Sequence, residues 1–184
     1  MRETWKQIDA WLRVNAPKAF ATLQPGASSQ TLDELETRLG FPIPAELREH
    51  LVIHDGQPKD TLLGLLHGWI FLNSDSIAEC HATFARLLRE GYLDRPGKSR
   101  DGAVKPVWWS ERWVPFLEGP GGDYLCFDMD PTESGQVGQI ITFWHAEPFR
   151  KVEARSLADL LARFVRDLHD NVYEVKRKGG LWPA

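Results

Sequence analysis

Apolar residues near the start of the chain recur every three or four positions. Trp5, Ile8, Trp11 and Leu12 mark one face of a helix over 3–15, and Pro17 marks its end. After the loop "QPGASSQ", Thr31 and Glu34 read as a capping box, and Leu32, Leu35 and Leu39 line a second helix stopped by Gly40. Pro44 is placed as the first residue of a third helix, 44–54, which His54-Asp55-Gly56 closes with turn chemistry. A short strand, "GWIFL" (68–72), precedes a second capping box, Ser76 with Glu79. Ile77, Cys80, Phe84, Leu87 and Leu88 then form the apolar face of a helix ended by Gly91.

The pattern changes after a charged stretch rich in Gly and Pro, 92–106, which reads as a long surface loop. Between 107 and 153 the segments "VWW", "RWVPFL", "DYLCFDM", "VGQIITFWH" and "FRKVEA" are aromatic and β-branched, and turn signals separate them. That is the signature of an antiparallel meander. Ser156 caps a last helix with Leu157, Leu160, Leu161, Phe164, Val165 and Leu168 on one face, and the tail "EVKRKGGLWPA" reads as solvated. Helices, then strands, then a helix predict an α+β fold, a single domain over 1–184 with its sheet covered on one face by helices.

Composition narrows the function classes. With 42% hydrophobic and 26% charged residues in 184, the chain is an ordinary globular one, and a net charge of −4 supplies no global field for nucleic acid. The basic run Lys176-Arg177-Lys178 is too short to bind nucleic acid alone. No apolar run reaches the roughly 20 residues that a membrane span needs, and charges thread the N-terminal helix, so a cytoplasmic location is expected. Cys80 and Cys126 belong to no C-x-x-C pair and fall in apolar patterns, which suits buried thiols but leaves one disulfide open.

The stretch "GPGGDYLCFDMDP" (119–131) carries the most chemistry. A phosphate loop would lead into a helix, whereas this one leads into a strand pattern and lacks Gly-Lys-Ser/Thr. Asp128 and Asp130 fall on one side of the strand and could hold a divalent cation, the basis of a metal-dependent hydrolase reading. Aspartates that end a strand before a turn are more often structural, and a hairpin accounts for every residue. Gly121 and Gly122 make the turn, and Asp123 caps backbone N–H groups. No metal and no cofactor are therefore expected.

Other constellations are weaker. His50 and His54 have the spacing of a zinc pair, but Leu51 stands where a zinc protease has its glutamate, so a solvated or capping pair is expected. Cys126 with His145 would need a thiol that an apolar strand leaves inert. Of eight tryptophans, Trp108 and Trp109 are adjacent and cannot share one face of a strand, so one is expected outward as a binding anchor. Asp55, Asp60 and Asp75 collect at predicted loop ends and could meet a basic partner surface.

Four segments in order resemble the SUKH superfamily: "LGFPIPAELREHLVIHDG" (39–56), "WVPFLEGPGGDYLCFDMDP" (113–131), "GQIITFWH" (138–145) and "SLADLLARFVRDL" (156–168). The resemblance covers about residues 30–170. It implies an α+β fold with a curved sheet, no catalytic activity, and function through binding. That superfamily includes bacterial immunity proteins, which occupy the surface of a cognate toxin domain, often a nuclease, and the yeast regulator of cell-wall glucan synthesis. Trp113, Pro115, Gly122, Asp123 and Asp128 match its pattern as fold-defining positions, some lining a shared groove. The expectation is a toxin-neutralising immunity protein, with a regulatory scaffold or adaptor as the alternative. The loop 92–106 and the first helix, outside these motifs, are the expected carriers of partner specificity.

Overall fold

The computed structural model describes residues 1–184, and its first half is helical. Helix α1 (Arg2–Asn15) buries Trp5, Ile8 and Leu12, the stripe that the 3–4 spacing predicts. The single turn α2 (Pro17–Phe20) starts on Pro17, whose missing N–H is no loss at a first helical position. Helices α3 (Ser29–Leu39) and α4 (Ala45–Ile53) follow. The cap of α3 is Ser28, whose Oγ accepts the Thr31 N–H at 3.1 Å, so this helix begins one turn before the expected box. In α5 (Ser74–Arg89) the Asn73 side chain likewise accepts the Ser76 N–H at 2.8 Å, ahead of the Ser76–Glu79 pair. In both places an extended residue with a short polar side chain stands upstream and takes the free N–H first.

Five strands form one antiparallel sheet in the order β1-β3-β4-β5-β7: β1 (Ile70–Phe71), β3 (Trp113–Glu118), β4 (Tyr124–Asp128), β5 (Gln139–Phe143) and β7 (Val152–Ala154). Two shorter pairings flank it. β2 (Lys98–Ser99) runs parallel to β6 (Phe149–Arg150), and β8 (Tyr173–Val175) pairs with β9 (Leu181–Pro183) after helix α6 (Leu157–His169). The α+β architecture and its mainly antiparallel sheet are those expected. Ser156 caps α6 as predicted, accepting the Asp159 N–H at 3.1 Å. In the β3–β4 turn, Gly121 and Gly122 both adopt positive φ.

Strand alternation divides the core in two. Val114, Phe116, Leu125, Phe127 and Ile140 join α1, α3, α4 and α6 in a cluster of 31 buried residues. The helix layer thus lies on one face. The other face carries Trp113, Cys126, Ile141 and Phe143 and is closed by the C-terminal half of α5 and the segment that follows it.

That segment corrects two expectations. Residues 107–109 are not a strand, since Val107 makes only an isolated bridge to Pro96. Free of strand alternation, Trp108 and Trp109 both turn inward and are buried, so neither offers an exposed indole. Trp109 stacks on Phe84 at 4.4 Å and meets Trp113 and Phe143 edge-on. Trp108 lies under the Arg95 guanidinium at 3.4 Å. Loop 92–106 is also pinned: Val104 is fully buried, and the Asp101 carboxylate accepts the Val152 N–H at 2.7 Å.

Two further corrections concern histidine and the tail. His50 is not solvated; it sits in the core between Trp5 and Phe71, and burial pushes its pKa down to about 3. His54 is held instead, with Nε2 3.0 Å from Asp9 and Nδ1 3.2 Å from the Gln24 carbonyl. The tail is the β8–β9 hairpin, with Tyr173 and Leu181 buried against the helical face.

Candidate functional site

A cleft of about 200 Å³ opens where α6 leaves the sheet. Its floor is Leu125, Thr142 and Trp144, from β4, β5 and the residue just after β5. One wall is the α6 face carrying Leu160, Arg163, Phe164 and Asp167, and the other is the turn Leu66–Trp69. Tyr173, the first residue of β8, closes one end.

Five elements must meet to make this cleft, and local contacts fix them in place. Trp69 and Trp144 meet edge to face at 5.7 Å, and Phe164 meets Tyr173 in the same way at 5.4 Å. Trp69 lies flat on the backbone at Gly119, where an added Cβ would fall 2.6 Å from its ring. Asp123 accepts both the backbone N–H and Nδ1 of His145, each at 2.9 Å, which fixes the chain directly after Trp144. His67 holds a positive φ of 55°, a region histidine tolerates better than most residues, and its Nε2 is 3.2 Å from the Tyr173 hydroxyl.

The rim is charged and the floor aromatic. Arg163 Nη2 donates to Glu153 at 2.8 Å, and Lys151 reaches the other oxygen of that carboxylate at 2.9 Å. Burial lowers the His67 pKa, with Asp167 and Glu153 opposing, so the ring is neutral near pH 7. It can donate or accept there. The volume lies below the roughly 300–1,000 Å³ of sites that enclose small molecules, and suits one or two side chains of a larger ligand.

The residues singled out from sequence lie elsewhere. Trp113, Pro115 and Asp128 are buried, with Trp113 and Asp128 paired on the opposite sheet face. Asp128 is not free for a metal. Its carboxylate accepts Trp113 Nε1 at 3.1 Å, Gln139 Nε2 at 3.0 Å and the Asp130 N–H at 3.0 Å, while Asp130 pairs with Lys105 at 2.6 Å. Gly122 and Asp123 stand in the β3–β4 turn, where Asp123 acts on the cleft only through His145. Asp55 turns inward to accept the Ser74 N–H and hydroxyl, and burial raises its pKa. Asp75 is exposed and pairs with Arg38 at 2.8 Å. Of the three acidic positions, Asp60 lines a wide groove of about 700 Å³, while Asp75 lines only a small depression beside Arg38.

Cys126 is buried in the small aromatic core, while His145 is exposed and bound to Asp123, so the two form no nucleophile and base. Both cysteines are free thiols. Trp69, His67, Arg163 and Tyr173 went unmarked in the sequence. The one local signal was the pair of glycines, Gly64 and Gly68, bracketing an apolar turn.

These features define an α+β protein whose sheet and last helix enclose a cleft of side-chain size. The chain belongs to the SMI1 / KNR4 family (SUKH-1), whose sequence profile matches residues 26–163. It is 31% identical over 186 residues to the "Cell wall biosynthesis/cell cycle regulator smi1" of Schizosaccharomyces pombe, covering 94% of this chain and 37% of that protein. It is 27% identical over 200 residues to a "Glucan synthesis regulatory protein" of Neurospora crassa, covering 90% and 38%. Against the "Cell wall assembly regulator SMI1" of Saccharomyces cerevisiae it is 22% identical over 199 residues, covering 89% and 39%. The chain therefore spans less than two-fifths of the length of these relatives. No helix is long and apolar enough to cross a membrane.

Proposed function

We propose that this chain is a non-enzymatic regulatory binding module that holds a side chain of a partner protein in the cleft between the sheet and α6. The observation that carries this reading is the cleft itself, with Trp69 and Trp144 in contact under the Arg163–Glu153 pair. Paired aromatic rings below a charged rim are the makings of a binding anchor. The relatives named above are regulators of wall and glucan synthesis, which moves the weight from toxin neutralisation to the regulatory alternative. The thiols support a role without covalent chemistry, since burial raises Cys80 to about 12 and Cys126 well above its ordinary value.

The test is a chimera. This chain replaces the matching segment of the Schizosaccharomyces pombe regulator in cells lacking that protein, and wall integrity is scored. The chimera is expected to restore it, and Trp144→Ala to abolish the rescue while leaving the melting temperature of the isolated chain within a few degrees. Equal rescue with and without Trp144 would remove the cleft from the function.

A further inference from the structure

The turn 66–70 is a ridge with a second, wider groove on its other side. His67 and Trp69 line the cleft, whereas Gly68 and Ile70 line a groove of about 700 Å³ closed by the β8–β9 hairpin. That volume lies within the range of sites that enclose a ligand. The far wall carries Lys176, Arg177 and Lys178 at the hairpin turn, and Lys59 stands across the groove. Lys176 pairs with Glu174 and Lys59 with Glu79, but Arg177 and Lys178 make no ion pair. A chain of net charge −4 thus concentrates unneutralised cations at one place.

The groove also holds exposed apolar surface. Leu62 is 76% and Trp182 38% exposed, and both line it. Trp182 is not adrift, since its indole lies on Gly68, where an added Cβ would fall 2.7 Å from the ring. It presents a fixed aromatic face beside the free cations. Asp60 and Glu118 line the same groove. A continuous phosphate backbone would meet both carboxylates and be repelled, whereas a peptide can set its carboxylates on the cations and its N–H groups on Asp60 and Glu118.

We infer that this groove binds an acidic protein segment that also bears an apolar side chain, the carboxylates facing Arg177 and Lys178 and the apolar group resting on Trp182. This is a second surface, separate from the cleft, and it stands whether or not the cleft reading does. The cations set the association rate and its salt dependence, and Trp182 sets residence time.

The experiment is fluorescence anisotropy with a short labelled peptide of alternating glutamate and leucine. A lysine–leucine peptide of the same length and a single-stranded oligonucleotide serve as the other arms. The glutamate peptide is expected to bind, with affinity falling as salt rises from about 50 to 200 mM, the range over which screening shortens its reach. Arg177→Glu with Lys178→Glu, both in an exposed turn, should weaken it by about tenfold or more at an unchanged melting temperature. Trp182→Ala should weaken it several-fold, and Trp144→Ala, in the other cleft, should leave it unchanged. The inference falls if the glutamate peptide does not bind. It falls equally if the oligonucleotide binds as well as the peptide, or if the charge-reversed variant binds normally.

Discussion

The helical face of the sheet is a continuous apolar layer in which 31 buried residues pack, and most of its side chains have no polar atom to satisfy. On the opposite face only eight buried residues form the core, and polar groups are built into it. Asp128 takes three donors there, and Arg150, fully buried, donates to the carbonyls of Trp108 at 2.8 Å and Glu147 at 2.7 Å while lying over the Phe143 ring at 4.6 Å. One sheet is thus held by area on one side and by directed bonds on the other. A face covered mostly by an irregular segment has backbone groups that no ladder pairs, so buried side chains must satisfy them.

The contrast is most exposed to large truncations. Leu161→Ala, in the helical core, should cost about 3 kcal/mol, a loss of contacts with partial collapse of the void. Trp113→Ala should cost about 3–5 kcal/mol, at or above the leucine value, because it also strips a donor from the buried Asp128 carboxylate. Urea unfolding of both variants reads the difference. A Trp113→Ala cost clearly below that of Leu161→Ala would mean that the bonded face is not a cooperative part of the fold.

Acid should separate the faces next. His50, in the helical core, has its pKa lowered by burial to about 3, so the unfolded chain binds the proton first. Its contribution is fully present above the ordinary histidine pKa and is lost as pH falls toward about 3. From pH 7 to pH 5 that loss is about 2 kcal/mol. Asp128, on the other face, has the opposite sign. Burial raises its pKa, so its neutral form contributes stability below the ordinary carboxylate pKa, and that is lost as pH rises through the folded value. His50→Phe should therefore flatten the acid limb of the melting curve, while a variant at Asp128 should not.

The smallest effect tests a single atom. In Asp128→Asn one oxygen can still accept from Trp113 and Asp130, but the new amide faces Gln139 Nε2, itself a donor. Gln139 cannot flip freely, because Nε2 also donates to the Ala103 carbonyl and Oε1 accepts the Gln136 N–H. The expected cost is about 1.5 kcal/mol by thermal unfolding, the size of one uncompensated buried donor. A neutral result would show that the network relaxes.

Elements with a strong period were legible in the sequence, and sites assembled from several elements were not. The stripe Trp5, Ile8, Leu12 and the apolar run of α6 appear where spacing put them. The His50–His54 spacing hides a second pattern in the same helix. Leu47, His50 and Leu51 are spaced as a core stripe, and all three are buried. Trp108 and Trp109 escape strand alternation because their segment is not a strand. Asp55 looked like a surface charge, yet the first turn of α5 offered it two donors. The cleft draws on the turn Leu66–Trp69, β4, β5, α6 and β8, and no local pattern announces such a meeting.

One contact described earlier bears on both grooves. The Trp182 indole lies on Gly68, joining β9 to a turn from the first half of the chain. Closing so long a loop carries an entropic cost that local helices never meet, and the packing of the segments between has to offset it. A binding surface made this way draws on two distant stretches of the chain, and whatever occupies it also fastens them together.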